Sequence, residues 1–184
     1  MNCARVAWRV LCPALVLVTW ANAARAAEPP ADGPLAKLAW LAGGTWVADL
    51  KGQDGRATRV ECRFDWAEHG KALKYVIHFK AEGGPVPQYE GIYYYHPAKK
   101  HIAMLQVDRA GNVTESVVTA EGDTLAQENQ TTTADGTTRP QRVKVTREGP
   151  DAFSFKAMVQ RDGQWVEAVA FTYKRERRGE PKER

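Results

Sequence analysis

Between Thr45 and Lys174 apolar and polar side chains alternate with a period of two, and short clusters of Gly, Asp, Asn and Pro interrupt the alternation. The clearest stretch is Thr58 to Trp66. Val60, Cys62, Phe64 and Trp66 share one face, and Arg59, Glu61, Arg63 and Asp65 share the other. That is the signature of a half-buried strand, because successive Cβ atoms point to opposite faces of a sheet. Leu73, Tyr75, Ile77 and Phe79 repeat it, with Lys74, His78 and Lys80 opposite. The same reading predicts strands at Thr45 to Leu50, Gln88 to Tyr95, His101 to Val107, Val113 to Ala120, Thr124 to Thr131 (weaker), Arg142 to Arg147, Ala152 to Gln160 and Trp165 to Lys174. Arg161-Asp162-Gly163-Gln164 reads as a tight hairpin, and Gly83 to Pro87 as a longer loop. Because the turns are short, neighbours in sequence must pair antiparallel, since a parallel return needs a long crossover. The prediction is an all-β fold, a single antiparallel up-and-down barrel of about 8–10 strands. One short N-terminal helix is expected over Leu35 to Leu41, with Leu35, Leu38, Ala39 and Ala42 on one face and Gly43-Gly44 ending it.

Ahead of the barrel, Arg5 and Arg9 precede an apolar run, Val10 to Trp20, that is short for a membrane span. Ala21-Asn22-Ala23 and Ala24-Arg25-Ala26 both present small residues where a signal peptidase reads. The expected organisation is a signal peptide at 1–26, a linker at 27–34, the barrel at 35–174 and a charged tail at 175–184. Cleavage after Ala26 is favoured, with Ala23 as the alternative. Periplasmic or secreted localisation follows from that leader, and an uncleaved anchor is its rival.

Removing the leader changes the charge picture. The whole chain has 26 Lys and Arg against 22 Asp and Glu. The leader holds Arg5, Arg9 and Arg25 and no acid, so 26 less these 3 leaves 23 basic residues against the same 22 acidic ones. The tail holds much of that remaining basic charge, which leaves the body nearly neutral and gives no basic stripe for nucleic acid. Charged strand faces such as Arg59, Glu61 and Arg63 also argue against a membrane-spanning barrel after cleavage. Of the cysteines only Cys62 lies beyond the leader. It falls on the apolar face of its strand, so a buried structural thiol is the expectation rather than a reactive one.

The opening Leu38-Ala39-Trp40-Leu41-Ala42-Gly43-Gly44-Thr45-Trp46 resembles the start of the lipocalin-like, or calycin, barrels. Within that group the pattern is most similar to small bacterial secreted proteins classed as domains of unknown function. A Tyr-rich strand and Pro turn (Tyr93-Tyr94-Tyr95-His96-Pro97), then Gln106-Val107-Asp108, then the Asp162-Gly163 hairpin and basic Lys174-Arg175 carry the similarity through the chain. The resemblance implies a barrel base closed by the motif Trp stacked under a late Arg, places held here by Trp46 and Arg175. It also implies small apolar ligands. Haem is bound by some related barrels, but this chain supplies no late His of the kind those relatives would offer.

The remaining chemistry is sparse. Tyr75, Tyr89, Tyr93, Tyr95 and Trp66 combine apolar bulk with polar tips, which suits either a ligand wall or an ordinary core, and Phe64 on the apolar face of its strand would add to either. Gln106, Glu115 and Glu167 sit at positions where a polar anchor could face inward. His96 and His101 flank one hairpin, yet a metal normally needs further ligands in reach. His69 falls in a turn and His78 on a polar strand face. No metal motif, catalytic triad order or phosphate loop is present, and no cofactor is expected.

These observations support a secreted or periplasmic barrel that binds a small apolar or amphipathic ligand through Phe64, Trp66, Tyr75, Tyr93, Tyr95, Gln106 and Glu115. The alternative is an interaction or structural module with a packed barrel and a protein partner. A small-barrel enzyme ranks third.

Overall fold

The computed structural model describes residues 32–51, 57–81 and 84–176. The expected leader, its cleavage sites, most of the linker and the tail beyond Glu176 lie outside the described residues. A short 3₁₀ helix, η1 (Pro34–Leu41), precedes ten strands: β1 (Thr45–Lys51), β2 (Ala57–Trp66), β3 (Ala72–Ala81), β4 (Gly84–His96), β5 (His101–Asp108), β6 (Val113–Glu121), β7 (Thr124–Thr132), β8 (Thr138–Arg147), β9 (Ala152–Arg161) and β10 (Gln164–Glu176). Each strand pairs antiparallel with its neighbours in sequence, and β10 pairs with β1, so the sheet closes on itself. Closure removes the unpaired edges that an open sheet would expose.

The alternation places the core. Burial in β6 switches at every residue, with Thr114, Ser116, Val118 and Ala120 inside. At the Arg161–Gln164 hairpin both central residues have positive φ (Asp162 52°, Gly163 77°). That is the backbone of a type I′ turn, whose twist matches that of the strands it joins.

The helix is tighter than expected. In a 3₁₀ helix every third residue is eclipsed, so Leu35, Leu38 and Leu41 form the buried face and Ala39 and Ala42 move to its margin. The helix packs against β3, β4 and β5, and Lys37 Nζ donates to Ala120 O at 3.0 Å. It therefore plugs the barrel end formed by the close of β2, β4, β6 and β10. Burying three leucines contributes up to roughly 2 kcal/mol each.

Gly84 to Pro87, expected as loop, forms the start of β4. Its pairs there are with β3 alone, because β5 ends opposite Tyr89. Pro85 and Pro87 thus occupy a segment with one open side, where a missing N–H costs little. Pro140 does the same in β8, which begins at Thr138 rather than Arg142 and meets β9 only from Gln141 onward. Gln88 is an extra residue opposite Ile77 and His78, and Ala168 is an extra residue in β10.

Candidate functional site

The closed end is built around Trp46, which is fully buried. Its Nε1 donates to Leu41 O at 2.8 Å, and its ring meets Phe153 at 4.8 Å and Trp40 at 6.4 Å, both edge-on. Trp46 is the cross-strand partner of Arg175. The Arg175 guanidinium lies over the indole, 4.0 Å from Cζ to the ring centroid. It also donates to Trp40 O at 3.0 Å and to Gly43 O, while its Nε faces Asp151 Oδ1 at 3.4 Å. A planar fork is needed to reach so many acceptors from above a ring, which favours Arg over Lys. Gly44 adopts φ 113°, and a Cβ there would lie 3.2 Å from Arg175 Nη1.

Above this plug lies a cavity of about 340 Å³. It extends toward the opposite barrel end, where Leu50, Phe79, Tyr89, Thr131 and Gln141 line it and are only half-buried. Its two walls differ. The strands β9, β10, β1, β2 and β3 supply Phe153, Phe155, Phe171, Tyr173, Leu50, Val60, Cys62, Phe64, Tyr75, Ile77 and Phe79. The strands β5 to β8 supply Met104, Gln106, Asp108, Thr114, Leu125, Gln127, Asn129, Thr131 and Gln141, together with the apolar Val143 and Val145 of β8. One half is aromatic and aliphatic, and the other is rich in neutral amides and hydroxyls.

The polar wall is hydrogen-bonded across strands. Tyr75 Oη donates to Gln106 Oε1 at 2.8 Å and lies 3.3 Å from Met104 Sδ. Gln127 Nε2 donates to Tyr93 Oη at 3.0 Å. Thr114 and Thr131 hydroxyls pair at 2.8 Å, and Asn129 Nδ2 donates to Gln141 Oε1 at 3.1 Å. Burial pushes the Tyr75, Tyr93 and Tyr173 phenols up, so all three stay neutral into the alkaline range where an exposed phenol ionises. Tyr75 reaches across β4 because its cross-strand partner is Gly91. A Cβ at Gly91 would stand 2.4 Å from Tyr75 Cζ.

Four of the expected site residues, Phe64, Tyr75, Tyr93 and Gln106, line this cavity together. Trp66 and Tyr95 point inward but belong to the core of the plugged end, outside the cavity lining. Glu115 stands on the outer face and is exposed. Its flanking Val113 and Val117 suggested an inward position, but β6 turns Thr114, Ser116, Val118 and Ala120 in and Val113, Glu115 and Val117 out. Glu167 also faces out, where it pairs with Lys156 at 2.7 Å. The extra Ala168 reverses parity between Glu167 and Val169, which a strict two-residue period cannot register.

Sequence reasoning missed Gln127, Asn129, Thr131 and Gln141. Their signal was the alternation of neutral polar residues with Glu128 and Gln130, a contrast too weak to assign a face. Cys62 is buried in the cavity wall, and desolvation pushes its thiol well above the ordinary range, which keeps it protonated and unreactive. His96 and His101 are cross-strand partners with rings 6.0 Å apart. Among the described residues no group of three or more His, Cys, Asp or Glu is placed to hold a metal.

On the outside, Arg59 pairs with Glu61 at 3.0 Å and with Glu176 at 2.8 Å, and Arg63 pairs with Asp65 at 2.8 Å. Among the described residues no helix is long and apolar enough to cross a membrane. Leu105, Val107, Val113 and Val117 form an exposed apolar patch on the outer face of β5 and β6.

No protein-family model matches the chain, and no curated protein does. Among solved structures, the crystal structure of Rv2717c from M. tuberculosis matches with a TM-score of 0.53 at 17% identity, over 79% of this chain and 99% of that one. A redesigned beta barrel, mFAP1, solved bound to DFHBI, matches at TM-score 0.39 and 16% identity, over 74% of this chain and 95% of that one. EF1p2_mFAP2b, also bound to DFHBI, matches at TM-score 0.37 and 16% identity, over 78% and 100%. The likeness to Rv2717c is one of fold alone, and the fold of this chain is a closed ten-stranded antiparallel barrel.

Proposed function

We propose that this protein is a binding barrel for a small amphipathic molecule, exported by its N-terminal leader to the periplasm or beyond. The observation that carries the reading is the cavity of about 340 Å³ with one apolar and one polar wall. Ligand sites are mostly apolar with a few placed polar groups, and run from roughly 300 to 1,000 Å³. This cavity sits at the small end of that range. Apolar walls favour a ligand at roughly 25 cal/mol per Å² of surface removed from water. Amide and hydroxyl groups opposite fix its orientation, because an unmet hydrogen bond there is costly. Export rests on Arg5, Arg9, the apolar run and the small residues up to Ala26.

The test is native mass spectrometry of the protein purified from its own host, run beside the denatured sample. The reading expects a small molecule at one per chain that is lost on denaturation, and a mature N-terminus near Ala27. A protein-only mass in both samples, from material never exposed to detergent, would count against ligand binding. Recovery of the intact leader in the membrane fraction would count against export.

The exposed patch of Leu105, Val107, Val113 and Val117 favours a second reading, a protein-docking module. Val107→Lys and Val117→Lys separate the two: they should weaken docking and leave cavity binding unchanged.

A further inference from the structure

The polar wall of the cavity is almost closed upon itself. Gln106 accepts from Tyr75, Gln127 donates to Tyr93, and Thr114 and Thr131 bond each other. Asn129 stands among them on β7, between Ser116 on β6 and Gln141 on β8. It is 5% exposed, and its Nδ2 is held by Gln141. Its Oδ1 has no hydrogen-bond partner, and Asn129 lines the cavity. Buried side-chain acceptors are nearly always satisfied, and one left unmet costs about 1–3 kcal/mol. The other orphan among the described residues, Trp66 Nε1, lies outside the cavity lining.

The charge inside is equally specific. Among the described lining residues there is no Lys, Arg or His, and the one carboxylate is Asp108 at the mouth. That carboxylate is occupied by its own turn: Ala110 N, Asn112 N and Asn112 Nδ2 all donate to it at 2.7–2.9 Å. An anionic headgroup would enter this cavity with no counter-charge, and burying an unpaired charge is strongly unfavourable.

Resting on the binding-barrel reading above, we propose that Asn129 is the specificity-determining residue of the cavity, and that its ligand is a neutral ring-bearing molecule whose hydroxyl or N–H donates to Asn129 Oδ1. The apolar body lies against the aromatic wall of Phe155 and Phe171, whose rings stack at 5.0 Å. A donor at the head replaces whatever water meets Oδ1 in the empty cavity. A fatty-acid carboxylate is disfavoured twice, by its charge and because it presents an acceptor to an acceptor.

The experiment is isothermal calorimetry of the full mature chain with naphthol, its methyl ether and naphthoate, with N-phenylnaphthylamine as a general apolar probe. The three naphthalenes share one body and differ in a donor, no donor and a negative charge. Naphthol should bind about tenfold more tightly than the ether, and naphthoate should be the weakest. Asn129→Leu, close in volume, should erase the preference for naphthol and leave ether affinity within about twofold. Asn129→Ser, too short to reach, should do the same. Equal binding of naphthol and ether by the wild-type chain, or a preference that survives in both variants, overturns the assignment while the barrel still binds N-phenylnaphthylamine. If that probe and all three naphthalenes fail to bind, the binding-barrel reading itself falls and takes this inference with it.

Discussion

Replacing Gly91 with Ala tests how the cavity wall is held. Gly91 lies directly opposite Tyr75 on one side and Gln106 on the other. An added Cβ would lie 2.4 Å from Tyr75 Cζ, 2.5 Å from its Oη and 2.6 Å from Cε1. The ring must move, and it has little room, since it packs against Phe64 at 5.6 Å and Tyr93 at 5.4 Å. Overpacking of this kind costs about 1–3 kcal/mol. Loss of the Tyr75–Gln106 hydrogen bond adds about 1 kcal/mol, since half-buried Gln106 can turn to water. Gly91 is not in the left-handed region, so Ala gains about 0.4–1 kcal/mol by restricting the unfolded chain. The expected net loss for Gly91→Ala is about 1–3 kcal/mol in urea melts. In a Tyr75→Leu background the clash partner is gone, so the same change should cost less than about 0.5 kcal/mol. A double-mutant cycle with a coupling energy of about 1 kcal/mol or more supports the argument. Additive effects, or a Gly91→Ala variant as stable as the parent, would refute it.

The other predictions concern the plug, the buried acids and the thiol. Arg175→Ala removes the guanidinium from Trp46 and from the carbonyls of Trp40 and Gly43, and should cost about 2–4 kcal/mol in chemical denaturation; Arg175→Lys should recover less than half, and full recovery would show that charge alone suffices. Tyr75, Tyr93, Tyr173 and Cys62 are all raised by burial from ordinary values of 10.0 and 9.0. Above those values the unfolded chain gives up protons that the folded chain retains. Stability is therefore complete below about pH 9 and falls as pH rises, by roughly 1.4 kcal/mol per pH unit for each group once the unfolded form is ionised. Urea melts across alkaline pH should show that decline, shallower in Tyr93→Phe, and a flat profile would contradict the burial of these groups. Cys62 should resist a thiol reagent under native conditions and react fully once unfolded; rapid labelling of the folded protein would show access that the structure does not provide.

The strands were legible because most faces differ in polarity. Val60, Cys62, Phe64 and Trp66 against Arg59, Glu61, Arg63 and Asp65 leave no doubt about which side is buried. The barrel followed from those faces and the short turns. Legibility failed where contrast vanished or inverted. In β7 both faces are polar, so Gln127 and Asn129 looked no different from Glu128 and Gln130. In β5 and β6 the apolar residues Leu105, Val107, Val113 and Val117 point outward and the inner face is partly polar, which sent Glu115 to the wrong side. Those strands carry much of the polar wall, so the cavity itself distorts the pattern used to find it. Bulges do the rest: one extra residue, Ala168, turns Glu167 outward while Val169, Phe171 and Tyr173 remain in the lining. The short helix was legible but its face was not, because three leucines at a spacing of three pack a 3₁₀ turn against the barrel end and leave Ala39 and Ala42 at its margin.

The central claim is that the space inside the barrel receives a molecule. Its most direct test is a fluorescence titration of the mature protein with N-phenylnaphthylamine, repeated with Ala157→Phe, which projects a ring from a fully buried lining position into the void. The account predicts saturable enhancement and a blue shift at one site per chain for the parent. It predicts their loss in a variant whose circular dichroism is unchanged. No saturable enhancement in the parent, or an identical titration in Ala157→Phe, would contradict it.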